Sequence, residues 1–176
     1  MRISMPITVL CCLSMTVALG QSSKKSVGYL SAEYNKTLYD RTVGNNPWGV
    51  GLGFQTFFNN NRKVKATVDL TADIYLEDDK VLRTNDTIPV ADLGGMANLF
   101  AGVSYQPIKM MYLSFVAGPS FISGTTLFGL KPSLGFYFSS AQRCTFKIYF
   151  INVFNRDKIT KQDFGTVGFS FGAKIF

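Results

Sequence analysis

A run of alternating side chains between Lys63 and Leu76, KVKATVDLTADIYL, constrains the fold of this chain most strongly. One parity holds Val64, Ala66, Val68, Leu70, Ala72, Ile74 and Leu76, and the other holds Lys65, Thr67, Asp69, Thr71 and Asp73. Because successive side chains of a β-strand point to opposite faces, the run predicts a strand with one apolar and one polar face. Its length suits a strand that crosses a bilayer at a tilt, with its polar face toward a lumen.

The same alternation recurs along the chain and predicts eight strands. They cover Ser26–Lys36, Trp48–Phe58, Lys63–Leu76, Met96–Gln106, Met110–Phe121, Leu127–Phe138, Arg143–Phe154 and Gly165–Phe176. Long connections at 37–47, 77–95 and 155–164 alternate with tight turns at 59–62, 106–109 and 139–142, and only the connection at 122–126 breaks the rule by being short. This arrangement is typical of a barrel whose two ends face different compartments. The predicted fold is all-β, an eight-stranded antiparallel up-and-down transmembrane β-barrel.

The first twenty residues predict a secretory signal peptide. Arg2 precedes a mostly apolar run, and Ala18 and Gly20 place small residues where a signal peptidase cuts. A transmembrane helix is the alternative, but the run contains Pro6 and is short for a span. Residues 1–20 are therefore predicted to be removed, and residues 21–176 to form one barrel domain.

A soluble barrel of the lipocalin kind would show the same alternation turned inside out. The polar faces argue against it, because they hold few charges among many Gly, Ser, Thr and Tyr residues. Only 16% of all residues are charged, whereas a soluble surface carries roughly 25–35%. Small residues also suit the inside of a narrow barrel, which favours the membrane barrel.

The whole chain after the signal peptide resembles the small eight-stranded outer-membrane barrels of Gram-negative bacteria, a group that includes the OmpA transmembrane domain, OmpX and OmpW. The resemblance lies in strand number, alternation and connection lengths, and extends to the last strand, GTVGFSFGAKIF. It implies an outer-membrane location and an assembly signal, read by the barrel-insertion machinery, at Phe169, Phe171, Ile175 and Phe176. Phe176 departs from the pattern because its parity is opposite to that of the other three. A bulge near Lys174 or a frayed last residue would reconcile them.

Seven ionisable residues are predicted to point into the lumen and to pair there: Glu33, Lys65, Asp69, Asp73, Lys131, Lys147 and Lys174. An unpaired charge in a poorly hydrated interior is costly, and eight strands leave only enough room for their own side chains. The lumen is therefore predicted to be plugged. The inward glycines leave two explanations open, a narrow cavity or room for the rings of Tyr137 or Tyr149; they are Gly49, Gly51, Gly53, Gly129 and Gly135.

Aromatic residues near the strand ends are predicted to form two interfacial girdles. The external girdle holds Tyr34, Trp48 and Phe128, and the periplasmic girdle holds Phe58, Tyr105 and Phe138. The periplasmic rim carries only basic charges, at Lys24, Lys25, Arg62, Lys63, Lys109 and Arg143. Such a rim indicates contact with outer-membrane lipid through anionic head groups, and no nucleic acid is expected as a partner.

The connection over residues 77–95 carries an acidic cluster at Glu77, Asp78 and Asp79. Carboxylates bind divalent cations, but this spacing matches no ligand loop. A solvated external loop that contacts a protein partner is favoured, and no metal or cofactor is expected.

Catalytic candidates are few, because the chain contains no His and so lacks the usual general base of esterases, acyltransferases and proteases. A Ser–Lys pair at Ser133 with Lys131 or Lys147 is the remaining candidate, and a structural role for these lysines is favoured over it. Cys144 is the sole cysteine after residue 20, which excludes an internal disulfide. The predicted function is that of a non-enzymatic envelope-structural or surface-interaction protein. The alternatives are a narrow channel or lateral conduit for small hydrophobic solutes, and an accessory subunit of a secretion or uptake complex.

Overall fold

Eight strands pair in sequence order and close into a barrel in the computed structural model, which describes residues 26–38, 47–75, 94–122, 124–154 and 163–176. The strands are β1 Val27–Thr37, β2 Trp48–Phe58, β3 Val64–Tyr75, β4 Gly95–Ile108, β5 Met111–Ile122, β6 Thr125–Tyr137, β7 Cys144–Phe154 and β8 Phe164–Lys174. Every pairing is antiparallel, including the one between β1 and β8 that closes the barrel. The predicted eight-stranded up-and-down barrel is confirmed.

The strand bounds differ from the predicted ones by a few residues. β4 continues to Ile108, so that Pro107 lies within a strand, and β6 begins at Thr125, inside the predicted connection. The alternation fades near the strand ends, which is why sequence locates strand centres better than strand ends. The predicted signal peptide and most of the connection at 77–95 lie outside the described residues. No helix in the described part of the chain is long and apolar enough to cross a bilayer.

The alternation places polar side chains inside the barrel and apolar side chains outside. Glu33 and Asn35 of β1 are buried, whereas Leu52 and Ile74 on the outer wall are each 64% exposed. A soluble barrel would have the opposite arrangement, because its apolar face lines the cavity. The wall is therefore built for apolar surroundings.

The two ends of the barrel are built differently. The tight turns at 59–63, 109–110 and 138–143 lie at one end, together with the start of β1 and the end of β8; we call this the turn end and the opposite one the loop end. Asn59 and Gln142 adopt φ values of 56° and 53° in these turns. Asn tolerates such left-handed backbone well, in agreement with the turn predicted at 59–62.

Two prolines interrupt the hydrogen-bond ladder on either side of the hairpin formed by β5 and β6. Pairing within that hairpin is continuous. The pairing of β5 with β4 skips Gly118 and Pro119, and the pairing of β6 with β7 skips Lys131 and Pro132. The β4–β5 pairing also shifts register between Tyr105 and Ile108, beside the turn. Proline has no N–H to donate, so each gap follows from the sequence. The five seams that do not involve β5 or β6 are continuous.

A β-bulge at the end of the β1–β8 seam accounts for the parity of Phe176. The Gly28 N–H donates to the Phe176 carbonyl at 3.1 Å, and the Ile175 N–H donates to the Gly28 carbonyl at 2.9 Å. Two residues thus face one, which is the mark of a bulge. The Phe176 ring lies over Gly28 on the outer wall, 6.3 Å from the ring of Phe54. Of the two explanations left open by the sequence, the structure shows the bulge, at residues 175–176 directly after Lys174.

The substitution Gly28→Leu should weaken this seam. A methyl group at Gly28 would already lie 2.5 Å from Cζ of the Phe176 ring, so a larger side chain displaces the ring from the wall. We expect a loss of about 1–3 kcal/mol in the free energy of unfolding, as for other overpacked sites. Urea titration followed by the fluorescence of Trp48 measures it. Ala32→Leu, on the exposed face of the same strand, is the matched control. Equal unfolding midpoints for both variants would contradict the packing of the Phe176 ring over Gly28.

Candidate functional site

Four buried ionisable side chains meet inside the lumen, and we call them the central cluster: Glu33 of β1, Asp69 of β3, Lys131 of β6 and Lys147 of β7. The Nζ of Lys131 donates to Asp69 Oδ1 at 2.9 Å, and the Nζ of Lys147 donates to Asp69 Oδ2 at 2.9 Å. Glu33 Oε1 lies 3.5 Å and 3.7 Å from the same two nitrogens. The four side chains are at most 3% exposed. Strands on opposite sides of the barrel are thus joined across the lumen.

Burial makes this pairing obligatory rather than optional. Each ion that leaves water costs several kcal/mol, and the mutual attraction of the ions repays that cost only with good geometry and further hydrogen bonds. Asp69 meets this condition, since both of its oxygens accept from a lysine. The Lys131 ammonium also lies 4.4 Å from the ring centre of Tyr149, a cation–π contact that stabilises it further.

Asp73 lies beside the central cluster but has a neutral partner. Its Oδ1 accepts from the Nδ2 of Asn35 at 2.7 Å. Its Oδ2 has no hydrogen-bond partner within the described part of the chain, although Asp73 is only 2% exposed.

The remaining two lysines of the predicted network lie elsewhere, which corrects that prediction. Lys65 is at the turn end, where its Nζ is 2.5 Å from Asn60 Oδ1 and 2.5 Å from Gln106 Oε1. Lys174 is exposed at the last position of β8. Inward parity does not imply a central position, because residues at strand ends reach the turns and the solvent instead.

Two apolar layers lie on either side of the central cluster. On β6, for example, Lys131 lies between Leu127 of one layer and Tyr137 of the other. The layer nearer the turn end consists of Val27, Tyr29, Phe57, Tyr112 and Tyr137. The layer nearer the loop end consists of Tyr75, Met96, Phe100, Val116, Ile122, Leu127, Tyr149, Ile151, Val153 and Phe164. The lumen is therefore filled by side chains both above and below the buried charges.

The turns add a polar closure below the aromatic layer at the turn end. Gln106 lies near the end of β4 and Gln142 in the turn before β7, and the Nε2 of each donates to the backbone carbonyl of Lys109, at 3.1 Å and 3.2 Å. The hydroxyl of Tyr29 donates to the carbonyl of Gln142 at 2.9 Å. Together with Lys65, these contacts tie the turns to the interior.

Some inward glycines make room for the buried carboxylates. A methyl group on Gly51 would overlap the carboxylate of Asp73, and one on Gly53 would lie 2.5 Å from Glu33 Oε1. The glycines of β2 therefore leave space for charged side chains on β1 and β3, a use that sequence reasoning missed. Strand register would have revealed this use, because Gly51 pairs with both Glu33 and Asp73.

Other inward glycines lie beneath aromatic rings. A methyl group on Gly135 would overlap the ring of Tyr112, and one on Gly168 would lie 2.5 Å from the hydroxyl of Tyr149. The prediction that inward glycines make room for tyrosine rings is therefore correct, although the pairs of residues differ. The ring at Gly135 is Tyr112 instead of Tyr137 or Tyr149, and the seat of Tyr149 is Gly168.

The outer wall carries the residues predicted for the girdles. The rings of Tyr34 and Trp48 stack with centres 5.3 Å apart at the loop end, and Phe138 stacks on Phe171 at 6.4 Å toward the turn end. Phe58, Tyr105 and Phe128 also lie on this wall. Bilayer anchoring by these six residues stays a prediction.

The predicted assembly signal forms part of the same aromatic surface. Phe169 and Phe171 are exposed on β8, and the ring of Phe171 lies 4.9 Å from that of Phe146. Ile175 is exposed beside the bulge. Recognition of these residues by the barrel-insertion machinery stays a prediction.

Metal and nucleophile chemistry find little support in the described residues. No three His, Cys, Asp or Glu side chains among them come close enough together to hold a metal ion. Both lysines near Ser133 contact carboxylates, and a charged ammonium cannot accept the proton of a serine. Cys144 is an exposed free thiol at the start of β7.

The chain matches no protein-family model and no curated protein. Solved structures are similar to it at low sequence identity. Ail, the attachment invasion locus protein of Yersinia pestis, is 10% identical with a TM-score of 0.55, over 86% of this chain and 98% of that chain. Neisserial surface protein A is 13% identical with a TM-score of 0.56, over 85% and 96%. The N-terminal barrel of Pseudomonas aeruginosa OprF is 13% identical with a TM-score of 0.51, over 86% and 98%.

The chain has the fold of the small eight-stranded outer-membrane barrels. The likeness spans nearly the full length of each of these three proteins, so the match concerns the whole barrel. At such identities it concerns the fold alone, and a small outer-membrane barrel can carry many functions. The central cluster must therefore be assessed from its own geometry.

Asp69→Asn should destabilise this barrel strongly. The amide removes the charge that faces Lys131 and Lys147 and leaves Glu33 alone between two buried ammoniums. Breaking a buried pair from one side costs about 3–5 kcal/mol. Urea unfolding in detergent micelles measures the change. Lys174→Gln, an exposed lysine in the same lumen parity, is the control and should unfold as the wild-type barrel does; an unchanged midpoint for Asp69→Asn would contradict the bracing role of Asp69.

Proposed function

We propose that the protein is an integral outer-membrane barrel of a Gram-negative bacterium with a closed lumen and a non-enzymatic role. It acts as an envelope-structural or surface-interaction protein through the connections at its loop end. The observation that carries the proposal is the central cluster between two apolar layers. Together their side chains fill the lumen along the barrel axis and leave no path for a solute.

The outer wall supports the location. Its apolar side chains are exposed around the barrel, and its aromatic residues lie near both ends, as a bilayer requires. The described basic residues of the turn-end rim, Arg62, Lys63, Lys109 and Arg143, are all exposed and suit anionic lipid head groups. Export through a signal peptide at residues 1–20 completes the proposal.

A non-enzymatic role agrees with the buried charges. Ionisable residues inside a membrane protein are usually functional, and here their geometry serves pairing. The Nζ of each lysine of the central cluster lies 2.9 Å from an oxygen of Asp69, and the chain has no His. The proteins with similar folds include one with attachment and invasion in its name and one described as a surface protein, which is consistent with action through external loops.

Planar-bilayer recording tests the closed lumen. The wild-type barrel should insert without conductance steps, because both apolar layers and the central cluster block the axis. Tyr112→Ala should stay silent as well, since it opens only the layer at the turn end. A heat-dependent gel shift confirms that each variant has folded. Reproducible openings of the wild-type barrel would contradict the proposal and favour a narrow channel.

Replacing residues 77–93 with a tight turn tests the interaction role. The replacement leaves β3 and β4 intact, because they end at Tyr75 and begin at Gly95. We expect unchanged folding in the gel-shift assay and at least about tenfold weaker binding of cells to an immobilised host-cell or envelope surface, a loss of ~1.4 kcal/mol. Replacing 155–162 in the same way is the control. Full binding after loss of 77–93 would refute the assignment of the partner surface to this connection.

A further inference from the structure

The outer wall carries a single charged side chain within the eight described strands. The outward positions of these strands hold apolar residues almost throughout, and Lys36 of β1 is the one charged exception. It is exposed and lies one residue before the loop end of β1. A charge on the lipid face of a barrel is costly at the bilayer centre and far less so near the interface. In a bilayer, the Lys36 ammonium therefore lies at the depth of the lipid phosphates.

An apolar groove extends along the outer wall from Lys36 toward Phe146 of β7, and we call it the wall groove. Its volume is about 400 Å³. Strand register explains the shape, because Lys36 pairs with the short Val167, whereas Tyr34 in the next row pairs with the larger Phe169. Most of the apolar lining comes from Tyr34, Trp48, Phe146, Ile148, Val167 and Phe169.

Ring contacts position the ammonium at the edge of the wall groove. The Nζ of Lys36 lies 5.0 Å from the centre of the Trp48 ring, a cation–π contact. The ring of Tyr34 lies 5.3 Å from the rings of both Trp48 and Phe169. These contacts restrict the rotamers of the side chains at the head of the groove, so a ligand loses less entropy in ordering them.

We propose that the wall groove binds one phosphorylated membrane lipid, with its phosphate on the Lys36 ammonium and an acyl chain between the apolar side chains. Lysine binds phosphate as a point charge. The groove has the volume of a ligand site, which is roughly 300–1,000 Å³. The charge selects the head group and the apolar lining selects the chain, so a neutral lipid satisfies only one of the two. The proposal rests on the proposed outer-membrane location, which supplies the lipid.

An interfacial lysine can also act as a simple anchor that extends its ammonium toward water. Such a lysine would attract anionic lipids whatever the shape of the wall beside it. The wall groove separates the two roles, because filling the groove removes the place for the acyl chain and leaves the charge of Lys36 unchanged.

Quenching of Trp48 fluorescence by brominated lipids tests the proposal. Trp48 is the sole tryptophan of the chain and lines the wall groove, so a brominated acyl chain in the groove quenches it on contact. The barrel is prepared in maltoside micelles, which contain no phosphate, and receives brominated phosphatidic acid or brominated diacylglycerol with the same chains. We expect about fivefold tighter binding of phosphatidic acid, the effect of one lysine on an anionic lipid.

Two pairs of variants separate the charge from the groove. Lys36→Gln should bind both lipids equally, whereas Lys36→Arg, which keeps the charge, and Lys109→Gln, which removes an exposed lysine at the turn end, should keep the preference. Val167→Phe fills the groove and should weaken quenching by both lipids. Val103→Phe, on the outer wall of β4, is its matched control. Quenching is measured relative to each variant with unbrominated lipid, because Lys36→Gln changes the surroundings of Trp48.

Equal binding of phosphatidic acid and diacylglycerol by the wild-type barrel would overturn the proposal. A preference that survives Lys36→Gln would overturn it too, since the phosphate would then bind elsewhere. Unchanged quenching in Val167→Phe would reduce Lys36 to an interfacial anchor. Displacement of phosphatidic acid by inorganic phosphate would assign Lys36 to a free anion and would likewise overturn the lipid site.

These outcomes are distinct from those that test the proposed function. Conductance in planar bilayers would refute the closed lumen, and full surface binding after loss of residues 77–93 would refute the partner surface. Neither result changes the lipid preference of the outer wall. The heat-dependent gel shift confirms that each variant has folded, so a loss of quenching reports the wall groove and not the loss of the barrel.

Discussion

The narrow interior of an eight-stranded barrel is the constraint on which the rest of this structure depends. Such an interior has room for side chains and little for solvent, so a charge placed there has to find its counter-charge among other side chains. Asp69 satisfies this constraint by binding Lys131 and Lys147 from the far side of the lumen. Because these contacts join distant strands, they hold the cross-section of the barrel, and they do so in addition to the hydrogen bonds between neighbouring strands.

The same constraint explains the glycines. Several of the buried charged side chains and tyrosine rings lie where the neighbouring strand carries no side chain, as at Gly51 beneath Asp73 and Gly135 beneath Tyr112. Glycine normally weakens a strand interior, so its repeated use on the inward face shows that filling the lumen outweighs strand propensity. The glycine and its large partner therefore act as one packing unit.

Much of this architecture could be predicted from the sequence, because a period of two assigns each residue to a face. The period assigns Glu33, Asp69, Lys131 and Lys147 to the lumen. It does not identify their partners, because contacts across a barrel depend on strand tilt and stagger, which a local pattern does not contain. For the same reason, the sequence wrongly places Lys65 and Lys174 in the central network. Both have inward parity, but they lie at the turn end of the barrel. The bulge at Phe176 also required the paired strand, because its cause is Gly28, nearly 150 residues away in sequence.

The prolines of the β5–β6 hairpin have a mechanical consequence. Pairing inside this hairpin is complete, yet Pro119 and Pro132 remove donors from both of the seams that attach it to the rest of the wall. Under a pulling force applied from the loop end, rupture would begin at these seams, where fewer hydrogen bonds share the load. The hairpin would then leave the wall as one piece, while β7, β8, β1, β2, β3 and β4 remain joined as a curved six-stranded sheet. The two weakest seams of the barrel are thus set by Pro119 and Pro132, whose backbone nitrogens carry no hydrogen to donate.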